Sequence, residues 1–128
     1  MLISVTQIPP QECSPNWRGH WAEKYQPARV YHDAVYYSCV DTRNRGEKEG
    51  MKFPLRRAKL DLTVVFRGVR RRDRDNILAR FKSGLDAVKD AGLIEDDDSE
   101  HLEIGKVEIR ADPGLAPLTI ISLTEMGG

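Results

Sequence analysis

Cysteine is scarce in this chain: 128 residues hold Cys13 and Cys39 alone, with no Cys-x-x-Cys and no paired histidine spacing. That excludes the common structural zinc patterns and leaves no disulfide framework, so reduced thiols are expected. No apolar run approaches the roughly 20 residues of a membrane span, so no membrane partner is expected. The opening MLISVTQIPP has neither a basic start nor a long apolar stretch. It does not read as a signal peptide, and a cytoplasmic location is expected. Net charge is missing too, because 20 Lys and Arg balance 20 Asp and Glu. Attraction to nucleic acid, if present, must come from a local patch. No repeat or low-complexity tract breaks the chain, and its length fits one domain over residues 1–128.

What is present is a period-2 and period-3.6 pattern in alternation. Leu2 to Ile8 reads as a short strand, stopped by Pro9-Pro10, with a loop over residues 11–20. Val30, Ala34 and Tyr37 fit a helix from about Pro27 to Val40, followed by a polar arm, DTRNRGEKEG. From Arg57 to Arg67, Leu60, Leu62, Val64 and Phe66 alternate with Lys59, Asp61, Thr63 and Val65, as in a strand with one buried face. A helix from about Asp75 to Ala91 ends at Gly92. Leu102 to Ile109 and Leu118 to Leu123 read as two more strands, with a turn at Pro113-Gly114 and a candidate bulge at Gly105. The expected fold is α+β: a single mixed β-sheet with two helices packed on it.

The chemistry concentrates around the second helix. Ile77, Leu78, Phe81, Leu85 and Val88 share one arc, while Asp75, Ala79, Lys82, Asp86 and Lys89 share the opposite stripe. Asp73 and Asp75 are two residues apart where strand gives way to helix, so both can project one way. A second acidic run, Asp96-Asp97-Asp98, follows the helix. On a straight helix the two acidic ends would stand about 25 Å apart at about 1.5 Å per residue, so the return after Gly92 decides whether they meet. Carboxylates about 4 Å apart repel by roughly 4 kcal/mol at an effective dielectric near 20, a cost that a magnesium ion removes. Each acidic segment also reads simply as a helix start or a solvated loop. Arg70, Arg71, Arg72 and Arg74 beside the acids suit phosphate contacts. Trp17, Trp21 and Tyr25 recur at four-residue spacing; a core or dimer contact is the expected role, with stacking on unpaired bases as the alternative.

Taken together, Arg71-Arg72-Asp73-Arg74-Asp75-Asn76, Lys82-x-x-x-Asp86 and Ala91-Gly92-Leu93-Ile94-x-Asp96-Asp97 resemble the RusA family of Holliday junction resolvases. Pro9-Pro10 followed by Asn16-x-Arg18 is similar to that family's opening. The resemblance implies a phage-related homodimer that nicks four-way DNA junctions in pairs during recombination and repair. It implies magnesium, with manganese able to substitute, bound by Asp73, Asp75 and Asp97, with Asp96 or Asp98 as the other possible registers. Lys82 would stabilise the transition state, and Asn16, Arg18 and the arginines of residues 70–74 would hold DNA. The alternative function is a non-catalytic module that binds branched DNA on the same fold.

Overall fold

The computed structural model of the chain describes residues 1–68 and 74–127. Asp73, Arg70, Arg71 and Arg72 therefore lie outside the described residues. Four strands, β1 (Leu2–Val5), β2 (Ala58–Phe66), β3 (Leu102–Ala111) and β4 (Leu118–Glu125), form one sheet in the order β1-β4-β2-β3. Three α-helices accompany them: α1 (Tyr25–Lys48), α2 (Arg74–Arg80) and α3 (Lys82–Asp90). The class is α+β with a mixed sheet, as expected. β2 and β3 are parallel, and the other two pairings are antiparallel. A parallel neighbour requires a crossover, which α2 and α3 supply.

The alternation in β2 holds from Ala58 to Val64, but Val65, expected on the polar face, is buried as well. Leu60, Leu62, Val64 and Phe66 are buried beneath the helices with Ile3, Ile121 and Leu123, while Lys59, Asp61 and Thr63 are only half-covered on the other face. The bulge is also present: the β2–β3 register slips between Leu60 and Leu62, opposite Gly105 and Lys106. Asp61 Oδ1 accepts the Lys106 N–H there at 2.7 Å, so the irregularity leaves that donor satisfied.

Three expectations need correction. First, DTRNRGEKEG is not an arm, because α1 continues through it to Lys48. Arg43–Glu47 and Arg45–Asp41 ion pairs at i,i+4 spacing support that extension. Second, the buried stripe of α1 is Tyr31, Val35 and Cys39, whereas Val30 and Tyr37 are exposed. Aromatic and apolar character alone gave the phase wrongly by about one residue. Third, the helix after β2 is two helices that meet at Phe81. Phe81 N–H reaches both Ile77 O (3.0 Å) and Leu78 O (3.2 Å), and Leu85 N–H returns to Phe81 O (2.9 Å). The path therefore stays helical through an irregular turn. Gly84 lets Tyr31 and the edge of Phe81 close on the backbone there; a Cβ would stand 2.6 Å from Phe81.

Candidate functional site

The site begins with the break at Phe81. Phe81 is fully buried, and Lys82, the first residue of α3, points to solvent. Lys82 Nζ lies 3.3 Å from Asp86 Oδ1, one turn on, and 3.0 Å from Asp97 Oδ2. The bond to Asp97 is the main cause that raises the Lys82 pKa, so the ammonium stays charged through neutral pH.

Asp97 can reach Lys82 because the chain folds back after α3. Gly92 turns it with φ +78°, a left-handed conformation that suits glycine. Leu55 then pins the return: its N–H donates to Leu93 O at 2.8 Å and its carbonyl accepts from Glu95 N–H at 3.2 Å. Leu93 and Ile94 are buried in the core. Asp97 thus meets Lys82, the first residue of α3, rather than the end of that helix.

The three consecutive aspartates separate by partner. Asp96 Oδ1 accepts the Asp97 N–H at 2.7 Å and pairs with Lys89 at 3.5 Å. The first of these bonds is the main cause that lowers its pKa. Asp98 Oδ1 accepts from Glu100 N–H, from His101 N–H and, at 2.7 Å, faces His101 Nδ1. That ring contact lowers the Asp98 pKa and raises that of His101. His101 therefore closes the turn into β3. Asp97 is the member of the run that joins Lys82.

Asp75 lies in the first turn of α2 and shares an open groove of about 540 Å³ with Leu78, Ala79, Lys82, Leu85 and Ile104. Asp75 and Lys82 thus do line one surface, as the seven-residue spacing predicts. Leu78 and Leu85, expected in the core, are half-buried and form the apolar part of this groove with Ile104. Among the described residues no group of three His, Cys, Asp or Glu side chains is arranged to hold a metal. The described carboxylates are oxygen donors of the kind magnesium takes, and magnesium needs only one or two of them beside water and phosphate. The Lys82 ammonium between Asp86 and Asp97 occupies a position where positive charge is already stabilised.

Asn16 and Arg18 are exposed on the loop before α1. That loop is tied to α2: Asn76 Nδ2 donates to Ser14 Oγ at 2.8 Å, and Ser14 Oγ accepts the Asn16 N–H at 3.2 Å. Arg80 anchors it further, donating from Nη2 to Pro9 O (2.6 Å) and from Nε to Pro10 O (3.2 Å). Arg74, at the start of α2, is exposed. The sequence reading missed Arg80 as an internal tie. The signal was there, since Ile77, Arg80, Phe81 and Gly84 follow the i, i+3, i+4, i+7 spacing of a buried arc. Two of the three aromatics are not core, since Trp21 is 72% and Tyr25 62% exposed, whereas Trp17 is half-buried.

Among the described residues no helix is long and apolar enough to cross a membrane. No model of a known protein family matches the chain. A Xylella fastidiosa protein described as "Uncharacterized protein" is 32% identical over 119 residues, covering 91% of this chain and 74% of that one. The chain belongs to the same family as that Xylella fastidiosa protein.

Proposed function

We propose that the chain is a magnesium-dependent endodeoxyribonuclease of the RusA type, a cytoplasmic homodimer that cuts four-way DNA junctions. The observation that carries this reading is Lys82, held by Asp86 and Asp97 on the same groove as Asp75. Acid oxygens and a fixed ammonium beside an open channel suit a phosphodiester better than a buried small molecule.

Asp75 and Asp97, with Asp73 as a further oxygen donor, would hold magnesium, which supplies an activated water and counter-charge for the phosphorus. Lys82 has the role that needs no metal. Its ammonium is exposed and has two carboxylate partners. An incoming phosphate oxygen can replace one of them while Asp86 keeps the side chain in place. Leu78, Leu85 and Ile104 present apolar surface to the sugar and exclude water from that side. Arg74, with Arg70, Arg71 and Arg72, adds positive charge for the backbone, and Asn16 and Arg18 extend the contact from the loop tied to α2. Two copies related by a two-fold axis match the two strands that must be nicked symmetrically.

The test is an end-labelled four-way junction incubated with and without magnesium. Paired symmetric nicks that require the ion are expected. Asp75→Asn should abolish the nicks while the junction still shifts on a gel, and retained cutting would remove Asp75 from the site. Intact but shifted DNA with the unaltered protein under all conditions would replace the nuclease with a binding module. Nicking confined to flapped or forked DNA would keep the chemistry and change the substrate.

A further inference from the structure

A second groove, about 430 Å³, runs along the other side of Ala79 and Lys82. Its walls include Trp21, Lys24, Tyr25 and Ser83. Trp21 sits in the single-turn 3-10 helix Trp21–Lys24 that leads into α1. His20 caps this turn by accepting the Ala22 N–H on Nδ1 at 3.1 Å, and its ring lies 5.6 Å from that of Trp21 at 30°. Tyr25 follows one turn later, so both rings face the same groove. At 72% and 62% exposed, these two rings are left in water rather than used in the core. Large exposed rings gathered in one concavity mark a binding surface.

Charge selects the occupant. Lys24 and Lys82 line the groove, and Asp86 is drawn into the ion pair with Lys82. An aromatic platform between two ammonium groups fits a planar neutral ring carried on a phosphate chain. Hydrogen-bonding capacity is also available. Ser83 lines the groove, and its Oγ is buried without a hydrogen-bond partner among the described residues. Trp17 Nε1 is likewise unpartnered in the wall of an adjoining cleft that shares Cys13, Trp21 and Lys24 with this one.

We propose that this groove stacks an unpaired base of the DNA strand whose phosphate lies at Lys82. The inference rests on the nuclease reading for the identity of that strand, and the shared wall at Ala79 and Lys82 sets the spacing: base on one side, phosphate on the other. Unstacking is cheapest where strands exchange, so the groove would favour a branched duplex over a continuous one by holding the base that the branch releases.

The test places 2-aminopurine at the crossover of a four-way junction and reads its fluorescence and the binding affinity with calcium in place of magnesium. The unaltered protein should keep the probe quenched. Trp21→Ala should brighten it several-fold and weaken binding by roughly tenfold to a hundredfold, the range for losing one base–aromatic stack. Trp21→Phe should recover most of both. Unchanged quenching and affinity in Trp21→Ala and Tyr25→Ala would overturn the proposal. So would a change of Trp21→Ala from dimer to monomer in sedimentation with the quenching intact, since the rings would then face a second copy. Cutting by the unaltered protein is scored separately. Trp21-dependent quenching without any cutting sinks the nuclease and keeps the base site; cutting without Trp21 dependence does the reverse.

Discussion

Two grooves share the wall of Ala79 and Lys82 and differ in nearly everything else. The first gathers Asp75 with the apolar side chains of Leu78, Leu85 and Ile104, and Asp97, which pairs with Lys82 at its edge, lies 15 residues beyond that lysine. The second is aromatic and is built from the segment just before α1. They are held by different means. The acid side depends on backbone: the Gly92 turn and the Leu55 bridge to Leu93 and Glu95. The aromatic side depends on side chains, with Arg80 bonded to Pro9 and Pro10 and Asn76 bonded to Ser14. One exposed lysine thus stands between a surface suited to charge and a surface suited to rings, and substitutions should separate the two.

The sharpest separation is expected within the acidic run. Asp97→Asn removes the carboxylate that faces Lys82. If Asp97 also holds the metal, cutting should fall by more than about a hundredfold, since several kcal/mol of charge stabilisation are lost at about 1.4 kcal/mol per tenfold. Asp98→Asn, next in sequence, removes a turn acceptor bonded to Glu100 and His101 and should leave cutting within a few-fold of normal. Single-turnover cleavage rates of the two variants decide it. Equal losses would mean that the run acts only as diffuse negative charge.

The next contrast concerns stability. Gly92→Ala forces an L side chain into φ +78° and places its Cβ against the Arg43 guanidinium, which is itself bonded to Ala91 O. A loss of about 2–3 kcal/mol is expected. Asn76→Ala leaves Ser14 without that donor and should cost about 1 kcal/mol. Urea denaturation gives both numbers. The grooves should respond oppositely: below its melting range the Gly92 variant should lose cutting more than base quenching, and the Asn76 variant the reverse.

How much of this could be read from sequence follows the same division. β2 was legible because Leu60, Leu62 and Val64 alternate with Lys59, Asp61 and Thr63, and period 2 puts such a set on one face; Val65, buried too, is the position the pattern missed. The shared stripe of Asp75, Ala79 and Lys82 was legible because it depends only on helical spacing. The return of Asp97 was not, since it rests on Leu55, a residue nearly forty positions earlier that no local pattern connects to Leu93. The choice among Asp96, Asp97 and Asp98 was equally hidden, because adjacent identical residues differ only in partners that the tertiary fold provides. The end of α1 was misread because Gly46 and a dense run of charge look like a loop. Gly46 is in fact buried, and a Cβ there would stand 3.0 Å from the Phe53 ring.

The smallest expected effect lies away from both grooves and serves as their control. His32 on α1 places Nε2 2.8 Å from Asp90 Oδ2 at the end of α3 and Nδ1 3.1 Å from Asp33 Oδ1, with its ring stacked on Tyr36. Burial works against its charged form, but the bonds to Asp90 and Asp33 outweigh it and raise the pKa above the ordinary histidine value of 6.5. A group whose pKa is higher folded than unfolded stabilises the fold fully below the unfolded value. That contribution fades as pH climbs through the raised folded value. His32→Gln should therefore destabilise by under about 1 kcal/mol near pH 6 and by less near pH 8. Denaturation midpoints at the two pH values measure the difference. Because His32 fastens α1 to α3 without touching Lys82, neither cutting nor base quenching should acquire a new pH dependence in this variant. If either did, the two grooves would not be independent of the helix pair that carries them, and the separation drawn between them would fail.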